Sequence, residues 1–241
     1  TTRHFQFGNH CKVAVIEEAS SLIETHAVHV WPSAIVMCCY LMKYCVVEDE
    51  SASKSKSDTL FCELGCGCAL PSLLCAKLGY RTIMTDRPVP DEASWKHKMM
   101  MQCSINAISA NFELSAGNTT NVVILPVTWG KLDDQLIELS KHANIRYLLG
   151  SDCFYDSSLF EPLIFTVSFI MEEQRRRNNL DCEFITTYHE RVDSHSLQHL
   201  LNKWNLQARI VPPSQFLSID LYKRIYQATN TDNHGNDDTD E

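Results

Sequence analysis

Two glycines follow an acidic residue at the end of an apolar run, and this spacing is typical of a cofactor-binding turn. Residues 60–71 read LFCELGCGCALP, in which Glu63 precedes Gly65 and Gly67. Glycine lets a strand-to-helix turn bend tightly and approach a ligand closely, because no Cβ intervenes. A carboxylate at the strand end can accept hydrogen bonds from a nucleoside or an amino-acid ligand. The stretch therefore predicts a nucleoside-type cofactor at the end of a parallel sheet.

Further polar and aromatic side chains follow three later strand-like runs. Asp86 comes 21 positions after Gly65, where a carboxylate can accept both hydroxyls of a ribose. Trp129 follows the next run, where an indole can cover a purine face. Ser151 and Asp152 follow the run after that. Because ligands of a doubly wound sheet lie outside the carboxyl ends of its strands, we expect these residues to share one site.

Each of these residues also has a plain structural alternative. The two glycines could serve only the turn, Asp86 could cap the loop before Pro88, and Trp129 could belong to the ordinary core. Asp152 could be the N-cap of the following helix, although Asp156 suits that position better. Their joint position at consecutive strand ends favours the cofactor site.

The turn also distinguishes between two adenosine-containing cofactors. A nicotinamide dinucleotide needs glycine at the sixth position of G-x-G-x-x-G, where the helix packs closely and its N-terminus meets the pyrophosphate. Leu70 occupies that position here. An acidic residue two positions before the first glycine instead suits a cofactor with a free ammonium group. The residues favour S-adenosylmethionine, and a dehydrogenase is the disfavoured alternative.

Alternating strand and helix patterns place these residues in an α/β fold with a doubly wound parallel sheet. The chain opens with a predicted hairpin at residues 5–16 and a helix at 33–47. Five strands are predicted after it, at 59–64, 81–85, 122–127, 146–150 and 183–187. Helices are predicted between and after them, at 71–78, 94–110, 133–141, 159–177 and 194–204. An antiparallel pair at 207–211 and 219–228 is predicted to close the sheet.

Composition and charge limit the function classes. The 241 residues are 44% hydrophobic and 21% charged, and no apolar run reaches the roughly 18 residues of a membrane span. We predict an N-terminal extension at 1–50 packed on the core, a cofactor-binding core at 59–228 and an acidic, disordered tail at 229–241. Five acidic residues lie in that tail, so the mildly acidic remainder does not favour direct binding to nucleic acid.

Cysteine and histidine usage favours a reducing compartment and no metal site. The eleven cysteines are odd in number and lie within apolar runs, where free cysteine acts as a small hydrophobe. His26 and His29, like His195 and His199, have a helical spacing that could hold a metal, but no Cys-x-x-Cys pair or carboxylate completes either set. We expect a monomer in the cytoplasm and nucleus.

Five segments together resemble the family 16 group of seven-β-strand methyltransferases. They are VWPSA at 30–34, ELGCGCALP at 63–71, TD at 85–86, TWG at 128–130 and GSDCFYD at 150–156. The resemblance extends from about residue 5 to residue 216 and implies a Rossmann-like, seven-stranded sheet of the class I S-adenosylmethionine-dependent type, with an N-terminal hairpin extension. Ala69 departs from it by replacing a glycine that is usual in the group, which should alter the fit of the loop without abolishing binding.

The resemblance also implies roles for individual residues. It implies S-adenosylmethionine contacts from Trp31, Glu63, Gly65, Cys66, Gly67, Asp86, Trp129 and Ser151. Asp152 is expected to pair with a cationic substrate side chain, and Tyr155 to orient its nitrogen through the hydroxyl or the ring face. Glu190 is a weaker second carboxylate, for which a surface charge is the alternative.

The implied substrate is a protein methylated on a side-chain nitrogen. The most similar branch of the family implies arginine of histone H3. Lysine enzymes of the family, which act on chaperones or translation factors, are the first alternative. A binding module that keeps the cofactor fold without turnover is the second.

Overall fold

A computed structural model of the chain describes residues 2–7, 11–17, 29–46, 56–88, 108, 111, 121–187 and 195–230. Most of the helix predicted at 94–110, the predicted second carboxylate Glu190 and residues 231–241 of the predicted tail lie outside these residues.

The predicted N-terminal hairpin is confirmed. Strand β1 (Thr2–Phe7) pairs antiparallel with β2 (Cys11–Ile16) along its whole length. Val13 and Val15 are fully buried on one face of β2, and Lys12 between Cys11 and Val13 is exposed. Cys11, Val13 and Val15 lie on one face by the two-residue period of a strand and direct it toward the core. Ala14 on the other face is also buried, and its N–H donates to Asn111 Oδ1 (2.8 Å).

A five-stranded parallel sheet forms the centre of the molecule, and with the hairpin it brings the described strands to seven. The strands are β3 (Leu60–Leu64), β4 (Arg81–Asp86), β5 (Val122–Pro126), β6 (Ile145–Ser151) and β7 (Glu183–Thr187), in the spatial order β5-β4-β3-β6-β7. All four neighbouring pairs are parallel. The predicted α/β class is confirmed.

Helices cover both faces of this sheet. They are α1 (Pro32–Tyr44), α2 (Leu70–Lys77), α3 (Asp134–Lys141), α4 (Phe160–Asn178), α5 (His195–Lys203) and α6 (Ile219–Asn230). The central strand β3 is buried along its length; its Phe61 packs toward α1 and α2, and its Cys62 toward the opposite layer. None of the helices in the described segments is long and apolar enough to cross a membrane.

The antiparallel pair predicted at the C-terminus is wrong. Residues 207–211 form no regular element, and Ile219–Asn230 is the helix α6. Tyr222, Ile225 and Tyr226 recur at a spacing of three and four residues, which places them on one helix face, and they pack in a cluster with residues of α1. The aromatic and β-branched content of this segment suggested a strand, but the helical period and the packing on α1 override that preference.

Candidate active site

One cavity lies at the carboxyl ends of the parallel strands. The chain leaves β3 toward β4 on one side and later adds β6 on the other, so a crevice opens where the strand order reverses. The cavity has a volume of about 530 Å³. Nine of the ten predicted site residues line it, namely Trp31, Gly65, Cys66, Gly67, Asp86, Trp129, Ser151, Asp152 and Tyr155. The structure therefore brings together residues that are up to 124 positions apart in the sequence.

The glycine turn after β3 forms the floor of this cavity in a left-handed backbone. Gly65 has φ +68° and Gly67 φ +47°, and both lie in the left-handed region that favours glycine. A Cβ on Gly65 would lie 2.6 Å from Cζ2 of the Trp129 indole. The ring therefore packs directly on the bare backbone of the turn. Ala69, which replaces the usual glycine, also adopts a left-handed conformation (φ +57°) and is the N-cap residue of α2.

Replacing Gly65 by alanine should destabilise the fold and disturb the cavity together. We expect a loss of roughly 2 to 4 kcal/mol in the free energy of unfolding, because the left-handed backbone and the contact with Trp129 both oppose a Cβ. Urea unfolding measures the loss. Gly79→Ala is the matched control, since Gly79 also has a positive φ but its nearest neighbour lies 3.8 Å away. An equal effect of both substitutions would contradict the role assigned to the Trp129 contact.

Asp86 holds the glycine turn from the end of β4. Its Oδ2 accepts a hydrogen bond from the Gly67 N–H (2.9 Å), and its Oδ1 accepts one from the Arg87 N–H (2.8 Å). Desolvation raises the pKa of the Asp86 carboxyl, and these two bonds partly offset that effect. Each carboxylate oxygen has a second acceptor position, so the same group can bind the turn and receive ligand hydroxyls.

Glu63 does not line the cavity and lies beneath the turn, fully buried. Its Oε2 accepts a hydrogen bond from the Ser72 N–H (3.0 Å) in the first turn of α2. This position suits an acidic group, because the N-terminal N–H groups of a helix lack partners within the helix. Desolvation outweighs the Ser72 bonds and raises the pKa of Glu63 to about 8. The contact between Glu63 and the cofactor ammonium group stays a prediction.

Burial of Glu63 gives the fold a pH dependence that Glu63→Gln should remove. Because the pKa rises from its ordinary value of 4.5 to about 8 on folding, the wild type is relatively most stable below pH 4.5 and loses that stability as the pH rises toward 8. The stability of the variant relative to wild type should therefore increase across this window, by at most about 1.4 kcal/mol per pH unit. Urea titrations at pH 5, 6, 7 and 8 measure it. Glu138→Gln, at an exposed ion pair, should show no such trend.

Asp152 is fixed at the opposite side of the cavity through its backbone. Its N–H donates to the Thr187 carbonyl at the end of β7 (2.7 Å), and its φ of +55° is left-handed. The Thr187 hydroxyl in turn donates to the Ser33 carbonyl in α1 (2.8 Å). The side chain of Asp152 is nearly buried at the cavity wall. Asp156, not Asp152, caps the helical turn that follows, since it accepts the Ser158 N–H (2.9 Å).

Tyr155 stands at the mouth of the cavity, with 44% of its surface exposed. Partial burial is the main cause that raises the pKa of its hydroxyl, and the nearby Arg87 lowers it. The hydroxyl is therefore neutral at physiological pH and able both to donate and to accept a hydrogen bond. Tyr155 is thus the more exposed, and Asp152 the more buried, of the two predicted catalytic residues that line the cavity.

Two tryptophans line the cavity from different elements. Trp31 is the N-cap residue of α1, with an extended backbone before Pro32. Trp129 lies after β5, and the next residue, Gly130, donates its N–H to the Thr166 hydroxyl of α4 (2.9 Å). Both indoles are thus attached to helices that pack against the sheet.

Several lining residues were not predicted from the sequence. They include His29, Leu70, Pro71, Arg87, Thr128, Cys153 and Leu159. Arg87 carried the clearest available signal, because it directly follows Asp86 and must lie at the same strand end. In the described part of the chain, no three His, Cys, Asp or Glu side chains are grouped so that they could hold a metal ion.

Comparison with known proteins gives consistent matches. A family model described as "Lysine methyltransferase" matches residues 12–201. The histone-arginine methyltransferase METTL23 of Xenopus laevis is 32% identical over 191 residues, which cover 79% of this chain and 69% of that protein. The Homo sapiens protein of the same name is 26% identical over 191 residues, with coverages of 78% and 84%. The protein-lysine methyltransferase METTL21E of Mus musculus is 27% identical over 150 residues, with coverages of 62% and 54%.

Proposed function

We propose that this chain, which belongs to the lysine methyltransferase family whose model matches residues 12–201, methylates a side-chain nitrogen of a histone. The proposed acceptor is arginine. The family implies S-adenosylmethionine as the methyl donor. The observation that carries the proposal is the cavity at the reversal of strand order, which is lined by the glycine turn, Asp86, two tryptophans and Asp152.

The residues of this cavity fit the methyl donor. A volume of about 530 Å³ lies within the usual range for small-molecule sites, roughly 300 to 1,000 Å³. Gly65 and Gly67 line the cavity, and the missing Cβ of Gly65 lets the Trp129 indole pack on the turn beside it. Asp86 offers carboxylate oxygens to ribose hydroxyls, and the faces of Trp31 and Trp129 can cover the adenine.

The chain's own residues would align the acceptor nitrogen and manage its charge. When bound, S-adenosylmethionine supplies an electrophilic methyl group on a sulfonium. A lysine or arginine side chain arrives protonated, and transfer to nitrogen needs a lone pair directed at that methyl. The Asp152 carboxylate would hold the cation by charge-assisted hydrogen bonds and would accept the proton that the nitrogen gives up on methylation. The Tyr155 hydroxyl would accept a second N–H from the mouth side, which leaves one direction for the lone pair.

Arginine is favoured by the names of the relatives, and lysine by the name of the family. The matched METTL23 proteins of Xenopus laevis and Homo sapiens are called histone-arginine methyltransferases. We therefore take arginine of histone H3 as the first acceptor to test. The matched METTL21E protein is called a protein-lysine methyltransferase, so lysine, with a chaperone or translation factor as substrate, is the second candidate. A histone substrate would place the protein in the nucleus for part of its life, in addition to the cytoplasm.

Labelled donor tests this function directly. The purified chain is incubated with tritiated S-adenosylmethionine and either core histones or a cell lysate, and the labelled residue is then identified by mass spectrometry. Label on arginine of histone H3 supports the proposal, and label on lysine moves the assignment to the second candidate. If the chain binds S-adenosylhomocysteine but transfers no label to any protein, the enzymatic proposal is overturned and a binding module remains as the interpretation.

A further inference from the structure

The N-terminal hairpin contacts the cavity through one buried carboxylate. Glu17 follows the last residue of β2 and is only 7% exposed. Its Oε1 accepts hydrogen bonds from the Arg3 guanidinium of β1 (3.0 Å) and from the Val30 backbone N–H (2.8 Å). Val30 and the next residue, Trp31, both line the cavity. Glu17 therefore joins the hairpin to one wall of the cavity.

Packing alone does not require a carboxylate at this position. Val13 and Val15 are fully buried, and they already attach the hairpin to the rest of the molecule through the apolar cluster that includes Val30 and Ala69. A buried carboxylate opposes folding unless it is paired and hydrogen-bonded. Here both conditions are met by partners that fix its position, so the group specifies where the Val30 backbone lies.

A second contact brings the same end of the hairpin against the glycine turn. The Cys68 thiol donates to the Ile16 carbonyl at 3.6 Å, and Cys66, Cys68 and Ala69 share the apolar cluster of the hairpin. The end of β2 thus touches both the floor of the cavity and its Val30 wall. A shift of the hairpin would therefore displace both the glycine turn and the Val30 wall of the ligand site.

The backbone of Trp31 has little freedom between its two neighbours. It is extended (φ −76°, ψ 151°), as expected for a residue before proline, and Pro32 begins α1. On the other side, Glu17 holds the N–H of Val30. The Trp31 indole therefore enters the cavity from a backbone that is fixed at both ends.

We propose that Glu17 is a positioning residue, which holds the Val30–Trp31 wall against the cavity and thereby sets the affinity for the methyl donor. The proposal rests on the proposed function, because the donor is the ligand whose affinity is measured. Glu17 touches neither the donor nor the acceptor. It should affect donor binding far more than the turnover of the saturated enzyme.

Two variants at position 17 separate the hydrogen bond from the charge. Glu17→Met removes the acceptor at similar volume, whereas Glu17→Gln keeps an oxygen for the Val30 N–H. For Glu17→Met we expect the Val30 amide to exchange its hydrogen at least about tenfold faster in the ligand-free protein. We also expect the Kd for S-adenosylhomocysteine to rise about tenfold, with kcat at saturating donor within about threefold of wild type. Glu17→Gln should stay within about threefold of wild type in all three measurements.

Glu138→Met removes an exposed ion pair with Lys141, away from the cavity, and should change nothing. Unchanged Val30 exchange in Glu17→Met, or an equal loss of donor affinity in both position-17 variants, would overturn the proposal. If Glu17→Met also loses amide protection at Val13 and Val15, the whole hairpin has loosened. Arg3→Met then distinguishes loosening of the hairpin from loss of the Val30 hydrogen bond. That variant keeps the Val30 bond, so a tenfold loss of donor affinity in it would assign the effect to hairpin docking instead.

The ligand-free exchange measurement keeps this inference distinct from the proposed function. A wild-type chain that does not bind S-adenosylhomocysteine would contradict the proposed function. The exchange rate of the Val30 amide in the same sample would still report whether Glu17 holds the wall.

Discussion

Replacing Asp86 by alanine is expected to weaken the binding of S-adenosylhomocysteine about 100-fold or more, which corresponds to about 3 kcal/mol. Two effects combine in this variant. The carboxylate that would accept the ribose hydroxyls is lost, and the Gly67 N–H loses its hydrogen-bond acceptor in the glycine turn. Isothermal titration calorimetry of the purified chain measures the change in Kd.

Two further variants make this result specific to Asp86. Asp86→Asn keeps one oxygen for the turn but cannot accept at both atoms, so its Kd should lie between those of wild type and alanine. Asp156→Ala removes an exposed carboxylate that caps a helical turn and does not line the cavity. It should bind the ligand like wild type. A Kd for Asp86→Ala within threefold of wild type would show that the ligand site lies elsewhere.

Replacing Asp152 by asparagine should reduce kcat about 100-fold or more and leave the Kd for S-adenosylhomocysteine within about threefold. Asparagine has nearly the same shape as aspartate and tolerates a left-handed backbone, so the hydrogen bond from residue 152 to Thr187 should persist. Only the negative charge that would hold the protonated substrate side chain is removed. Initial rates with labelled donor, together with calorimetry, separate the two quantities.

Tyr155→Phe is the companion measurement for Asp152→Asn. It removes the hydroxyl at the cavity mouth but keeps the ring, so a moderate fall in kcat/KM is expected if the hydroxyl orients the nitrogen. An Asp152→Asn enzyme with full activity on every substrate of the wild type would remove Asp152 from the mechanism. A variant that instead loses donor binding would assign Asp152 to the cofactor.

The alternation of strands and helices was predictable because local patterns determine it. Apolar runs bounded by turn residues gave each strand of the parallel sheet to within one or two residues, and the glycine turn gave the position of the site. The C-terminal segment was not predicted correctly. Tyr222, Ile225 and Tyr226 suit a strand by residue type, but their spacing of three and four residues is helical and they pack as one helix face on α1.

The site was predictable to the level of strand ends but not of side-chain direction. The strand β3 is buried on both faces, so its apolar pattern cannot show which way Glu63 points. The structure directs this carboxyl under the turn to the Ser72 N–H, away from the cavity. Glu17 could not be recognised either, because its partner Val30 is brought near it by packing and not by a sequence pattern.

The backbone of residue 152 is left-handed and its N–H donates a hydrogen bond to the Thr187 carbonyl, which limits the residues that can replace Asp152. A left-handed backbone restricts the position, without strain, to a small repertoire headed by aspartate, asparagine and glycine. Asparagine or glycine at this position would change the charge offered to the substrate with little strain, whereas a β-branched residue would be strained. Larger changes of side-chain shape near the substrate would therefore be expected at Tyr155, which is more exposed than Asp152, and at the other residues of the cavity rim.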